Sequence, residues 1–189
     1  MILIFEGIDG CGKTTQVRFL CKYLKRKKIK YIKLKEPAEE FKKILNKNFP
    51  SMVYFFLFNA SRFYIYSKIK KYIKKNYWII IDRSFPSTFV YQWYVGKVKN
   101  FISKDLLLKI NNIVTQNLKI DKVFVIDVEP KVAYKRIKKQ NIFEKKPLSY
   151  FRKLRKAYLE LSKIFSWEIL NGNLPPEEIS KKIVKILKI

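Results

Sequence analysis

Five short apolar or aromatic runs punctuate the chain: Ile2–Phe5, Tyr31–Leu34, Tyr77–Ile81, Val123–Ile126 and Trp167–Leu170. Each reads as a buried strand, apolar on both faces. The stretches between them follow a helical period. Lys13–Lys27 carries Val17, Leu20, Cys21 and Leu24 on one side, and Phe55–Ile73 is a long aromatic helix. Leu106–Leu118, Val132–Ile137, Tyr150–Phe165 and Glu177–Leu187 continue the pattern. Strands that alternate with helices predict an α/β fold with a mainly parallel sheet. Right-handed crossovers then gather the strand carboxyl ends on one edge, where such sheets bind ligands.

Composition narrows the class. The chain has 189 residues, of which 48% are hydrophobic. That predicts one domain with a sizeable core and excludes global disorder. No apolar run approaches the roughly 20 residues of a membrane span. The opening Met-Ile-Leu-Ile-Phe-Glu lacks a basic start and is interrupted by Glu6, so it is not read as a signal peptide. Cys11 and Cys21 are too few for a disulfide framework and suit a reducing cytoplasm. There is no histidine, which removes imidazole bases, nucleophiles and metal ligands.

Lys and Arg total 42 against 15 Asp and Glu, a net charge of +27. Only seven of the basic residues are Arg, so each Arg position is informative. Lysines scattered along helices read first as a solvated surface, with non-specific nucleic-acid binding as the rival. Either way, an anionic substrate is attracted.

Gly7-Ile8-Asp9-Gly10-Cys11-Gly12-Lys13-Thr14 fits G-x-x-x-x-G-K-[ST]. It follows the first strand and opens the first helix, as phosphate binding requires. Glycines let backbone N–H groups converge on phosphate oxygens, and the helix N-terminus adds positive potential. Lys13 would bridge the β- and γ-phosphates of a purine nucleoside triphosphate, and Thr14 would ligate Mg²⁺. Thr15 completes the binding segment. An N-K-x-D base-reading motif of GTPases is missing, and the length leaves no room for accessory domains. Small nucleotide and metabolite kinases fit best.

Asp82-Arg83 follows the third apolar run, which places a carboxylate and a guanidinium at the ligand edge. The carboxylate can hold Mg²⁺ through water or orient an acceptor, and the Arg can clamp a phosphoryl group. Asp127 also ends an apolar run, but Glu129-Pro130 follows as a helix start, so its reading is structural. Arg62 lies four residues after Phe58, hence on the same helix face.

These residues resemble the thymidylate kinase family. Phe5–Thr15 is similar to its loop, F-E-G-x-D-G-x-G-K-[ST]-T. Lys35-Glu36-Pro37 resembles R-E-P, Leu57–Arg62 resembles L-F-x-A-x-R, and Asp82–Gln92 resembles D-R-[YFH]-x-x-S-x-x-A-Y-Q. Asp127–Pro130 with Ala133 and Arg136 resembles D-V-x-P…A-x-x-R, and Phe143-Glu144 with Phe151, Arg155 and Tyr158 resembles the lid-to-helix segment.

The resemblance implies a three-layer α/β sandwich of the P-loop class. It has five parallel strands, helices on both faces and a short mobile lid near 138–149. It implies transfer of the ATP γ-phosphoryl to dTMP with Mg²⁺, giving dTDP for dTTP synthesis, in a cytoplasmic homodimer. The aromatic helix at 54–66 could supply the dimer surface. In the substrate site, Asp9 would meet the sugar 3′-OH, Phe58 would face the thymine ring and Arg62 would donate to a thymine carbonyl. Ser87 and Thr88 would line the base edge, and Tyr91 would close the sugar pocket against a ribose 2′-OH. Arg83 and Lys35 would hold the acceptor phosphate, and Arg136 would lie near the adenine. Tyr158 reads equally as a phosphate contact or as helix core.

Several departures stand out. Ala38-Glu39-Glu40 replaces the family's glycine pair, and Lys35 replaces an Arg. Family members carry a catalytic Arg in the loop or the lid; neither segment here has one, and Ile142 stands where the lid Arg is expected. Lys138, Lys139 or Lys145 would supply that charge, or Arg136 or Arg152 would reach in. The rival readings are a kinase of broader nucleotide or deoxynucleoside specificity, and a basic nucleic-acid-binding protein with a vestigial loop.

Overall fold

The computed structural model describes residues 1–138 and 141–189. Its five strands are β1 (Ile2–Glu6), β2 (Tyr31–Lys35), β3 (Trp78–Asp82), β4 (Lys122–Asp127) and β5 (Glu168–Asn171). They form one parallel sheet in the order β2-β3-β1-β4-β5. The helices are α1 (Lys13–Arg26), α2 (Glu39–Leu45), α3 (Ser51–Ile73), α4 (Phe85–Thr88), α5 (Lys104–Val114), α6 (Pro130–Arg136), α7 (Leu148–Phe165) and α8 (Pro176–Leu187). A π-helical segment, Phe89–Val95, continues α4, and a 3₁₀ turn covers Val98–Asn100.

The apolar runs place the sheet correctly. β1, β3 and β4 are buried on both faces, with Leu3, Ile4, Phe5, Ile79, Ile80, Ile81 and Phe124 fully enclosed. The outer strands differ from expectation. β2 and β5 lie at the sheet edges and are largely half-buried or exposed, because each has a neighbour on one side only. α1 and α8 pack together on one face, and α3 and α7 cover the other.

Polar residues close the strands at their carboxyl ends: Glu6, Lys35, Asp82, Asp127 and Asn171. Lys35 and Asp82 are register partners, and Phe5 pairs with Asp82 across β1 and β3. The order reverses at β1, so the loop after β1 opens at the switch point of the sheet, where ligands of such folds bind.

Three helical pieces were not expected: α2, α4 with its π-helical continuation, and the 3₁₀ turn. α5 stops at Val114 rather than Leu118, because Gln116 and Asn117 turn left-handed at φ 54° and 56°. Its start is fixed by Ser103, whose hydroxyl accepts from the Leu106 N–H at 3.2 Å. α7 begins at Leu148, so the final residues of the expected lid belong to a helix.

Candidate functional site

Two clefts meet along the carboxyl edge of the sheet. The first holds about 550 Å³ and follows the loop from Asp9 to Gln16, then reaches Asp82, Arg136, Lys138 and the start of α8. The second holds about 380 Å³ and runs from Asp9 and Arg83 to Phe58, Arg62, Thr88 and Gln92. Asp9, Lys35, Arg83 and Glu144 face both. Volumes of this size suit small ligands.

The loop is built by close approach. At Gly10 (φ 81°) a Cβ would stand 2.3 Å from the Ala133 carbonyl oxygen, so the loop tip rests on the α6 backbone. At Gly7 (φ 133°) a Cβ would meet the Ile126 carbonyl oxygen at 2.6 Å. The Lys13 ammonium donates to the carbonyls of Gly7 at 3.0 Å and Ile8 at 2.8 Å. Gly7 and Ile8 therefore hold Lys13 and are not among the residues lining the loop cleft. Gly10, Cys11, Gly12, Lys13, Thr14 and Thr15 do line it. The Thr14 hydroxyl donates to Asp82 Oδ2 at 2.7 Å, which brings the two expected metal ligands together. A hydroxyl and a carboxylate are the hard oxygen donors that Mg²⁺ takes, alongside water and phosphate. The pair fits that ion.

Arg83 is the junction of the two clefts. Its backbone is left-handed at φ 71°, uncommon for a residue with a Cβ. Its guanidinium donates to Asp9 Oδ1 at 2.6 Å and to the Ser87 hydroxyl at 2.9 Å. The Tyr91 hydroxyl donates to Asp9 Oδ2 at 3.1 Å. Burial raises the Asp9 carboxyl, but Arg83, Lys13 and the hydrogen bonds from Arg83 and Tyr91 outweigh it and hold the group below its ordinary value.

Glu6 organises this junction from below, and sequence reasoning gave it no role. It is fully buried. It accepts from the Ser84 N–H at 2.7 Å, the Ser87 hydroxyl at 2.7 Å and the Tyr158 hydroxyl at 2.8 Å. A buried carboxylate is tolerated only with such partners. Ser87 thus sits at the Arg83 end of the second cleft. Tyr158 is 2% exposed and lies within the core, its hydroxyl spent on Glu6.

At the other end, Arg62 is 1% exposed and held on three sides. Nε donates to Glu36 Oε2 at 3.0 Å, Nη1 to Asn59 Oδ1 at 3.0 Å and Nη2 to Thr88 Oγ1 at 2.8 Å. Phe58 flanks it on the cleft wall. Phe143 covers this end, its ring 6.1 Å from Phe58 and 5.9 Å from Tyr91. Gln92, 3% exposed, and Phe143 were seen only as motif letters, because nothing in a sequence places them in one cleft wall.

The remaining expectations divide. Arg136 and Lys138 line the loop cleft. Lys145, Ile142 and Arg152 are not among the lining residues of either cleft, and Lys139 lies outside the described residues. Asp127 is structural as read: Arg155 donates to its two oxygens at 2.7 and 3.0 Å. The far wall of the loop cleft, Gly172, Leu174, Pro176 and Ile179, carries no sequence motif and was missed.

Comparison with known proteins gives one consistent result. The family model described as thymidylate kinase matches residues 5–183. The thymidylate kinase of Thermosipho africanus is 33% identical over 200 residues, spanning 100% of this chain and 98% of its own length. That of Fervidobacterium nodosum is 35% identical over 196 residues, with 98% of each chain covered. The crystal structure of thymidylate kinase from Ehrlichia chaffeensis, 23% identical, shares the fold at a TM-score of 0.78, covering 100% of this chain and 98% of that one.

Proposed function

This chain belongs to the thymidylate kinase family, and from that premise we propose how its two clefts divide the work. The reaction is transfer of the ATP γ-phosphoryl to dTMP, giving dTDP and ADP. The loop cleft is the ATP side. Backbone N–H groups of the loop and the first turn of α1 cradle phosphates, Lys13 turns from the loop carbonyls to the β- and γ-oxygens, and Arg136 lies beside the adenine. Thr14 and Asp82 hold Mg²⁺, which supplies charge neutralisation on the phosphates.

The second cleft is the dTMP side. Arg62 donates to the ring, Phe58 offers it a flat face, and Thr88 lies at its edge. Tyr91 and Asp9 bound the sugar, while Arg83, Lys35 and Ser87 meet the phosphate. The observation that carries this orientation is the Arg83–Asp9 pair, which faces both clefts. A guanidinium there reaches an acceptor phosphate and the phosphoryl arriving from the loop side.

Residues 1–189 act as one kinase domain, with 138–149 as its lid. Two copies join through the outward face of α3, where Val53, Phe56 and Phe63 are exposed, next to Leu106 and Ile113 of the adjoining α5. Tyr54 and Tyr66, within the aromatic stretch considered for this surface, are buried and face the core. Large exposed apolar patches of this kind mark interaction sites. Among the described residues no helix is long and apolar enough to cross a membrane. Both cysteines are free and buried, which fits work in the reducing cytoplasm.

An ADP-release assay with dTMP, dUMP, dCMP, dAMP and dGMP, with and without Mg²⁺, tests the reading. The expected result is Mg²⁺-dependent turnover with dTMP preferred. Equal use of several acceptors would replace it with a broad nucleotide kinase.

A further inference from the structure

Glu36 has no part in that division of work, yet it is 4% exposed at the ring end of the acceptor cleft. Its backbone N–H donates to the Asp82 carbonyl at 3.1 Å, which anchors it to the end of β3. Its two oxygens face different partners. Oε2 accepts from Arg62 Nε at 3.0 Å, and Oε1 accepts from the Ser84 hydroxyl at 2.8 Å. Ser84 is itself fixed, because its N–H donates to Glu6 at 2.7 Å and its hydroxyl lies 3.1 Å from that of Tyr66.

A guanidinium has five N–H donors in a rigid plane. Among the described residues Arg62 commits three, to Glu36, Asn59 and Thr88. Where Glu36 is ionised, the bond to it is charged on both sides and is the strongest of the three. With Nε fixed, the plane is fixed, and each terminal nitrogen keeps one N–H for a ligand.

We propose that Glu36 is the positioning residue that aims Arg62 at the acceptor base, and that it thereby sets discrimination between bases through Arg62 rather than by its own contact. The proposal rests on the reading of the Arg62 end as the ring end. A pyrimidine nucleotide whose phosphate lies at Arg83 points C4, the ring atom farthest from the sugar, toward Arg62. C4 bears a carbonyl in thymine and an amino group in cytosine. A guanidinium donates to the first and has nothing to offer the second. Rejection of the wrong base is steep only where such a donor is held in place.

The test uses the full chain at about pH 8, with affinities for dTMP, dCMP and ATP measured by calorimetry. Glu36→Gln keeps the shape and removes the charge; Glu36→Asp keeps the buried charge and withdraws its reach. Both should lower the dTMP-to-dCMP affinity ratio by about 5- to 100-fold, the range of one misplaced buried hydrogen bond. ATP affinity should stay within about twofold. Arg62→Lys should lower the same ratio, and the Glu36→Gln/Arg62→Lys double variant should lose no more than the stronger single variant, because both act through one contact.

A folded Glu36 variant that keeps the wild-type ratio while Arg62→Lys loses it overturns the proposal. So does an equal loss of affinity for both nucleotides, the mark of a merely structural role. If Arg62→Lys keeps the ratio as well, the ring-end reading falls and takes the proposal with it. Should Glu36→Gln fail to fold, Glu36→Asp, which leaves no buried guanidinium unpaired, decides.

Discussion

Arg83 and Asp9 form a 2.6 Å ion pair, and each faces both clefts. The pair sits on a left-handed backbone at Arg83 and is buttressed by Glu6, 3.8 Å from the guanidinium. An Asp9→Asn substitution keeps the shape and removes the charge that sets this geometry. Steady-state kinetics should then show kcat/KM for dTMP falling by about 10²-fold, the scale of one preorganised electrostatic contact. Wild-type kinetics would mean that the pair only closes the strand end.

Lys13→Ala should lower turnover by about 10²–10³-fold, because phosphoryl transfer depends on fixed positive charge at the phosphates. Circular dichroism should show the fold intact, since among the described residues the ammonium bonds to carbonyls of its own loop and to the Cys11 sulfur. An active variant would remove the loop from the mechanism.

Burial pushes the Glu36 carboxyl up to about 7 from an ordinary 4.5, against the opposing pull of Arg62 and Ser84. The folded chain therefore binds a proton between those pH values that the unfolded chain has already released. The resulting stabilisation is full below pH 4.5 and is lost as pH rises through 7. Relative to Glu36→Gln, which cannot titrate, the wild type should lose up to about 3 kcal/mol between these limits. Urea melts at pH 5 and pH 8 measure it; a stability difference that is flat or grows with pH contradicts the assignment.

For the lid, Arg136 and Lys138 are the cations among the described residues that line the loop cleft from this segment, whereas Lys145 is not among its lining residues. The Arg136→Ala/Lys138→Ala pair should cut turnover by about tenfold or more, as expected of a weakened cationic clamp. Lys145→Ala should leave turnover near wild type. The reverse result would put the working charge on the outer lid.

What the sequence made legible follows from what period and motif encode. β1, β3 and β4 were plain because burial on both faces demands unbroken apolar runs, and the loop was plain because Gly7 and Gly10 admit no side chain. The strand ends were read one residue short at Glu6, Lys35, Asp82 and Asp127, since a polar residue ends an apolar run before it ends a strand. α2 escaped because it is seven residues long and mostly polar. Glu6 and Glu36 were illegible as site-builders: a carboxylate looks solvent-facing until the fold shows donors from separate segments converging on it, Ser84 and Tyr158 on Glu6, Arg62 and Ser84 on Glu36. The bonds of Ser87 to Arg83 and Glu6 were illegible for the same reason, since its motif gives an order of residues and no directions.

The way Arg62 is tied down bears on drug resistance. An inhibitor that rests on Phe58 rests on a half-buried wall the protein can reshape with another apolar side chain. One that draws its affinity from the free N–H groups of Arg62 rests on a residue whose loss strips the buried Glu36, Asn59 and Thr88 of the donor they share. Leaving a buried acceptor without its donor costs about 1–3 kcal/mol, and several at once take a large share of a domain's total stability. Escape by that route would select against itself, because the mutant would lose its fold along with its sensitivity.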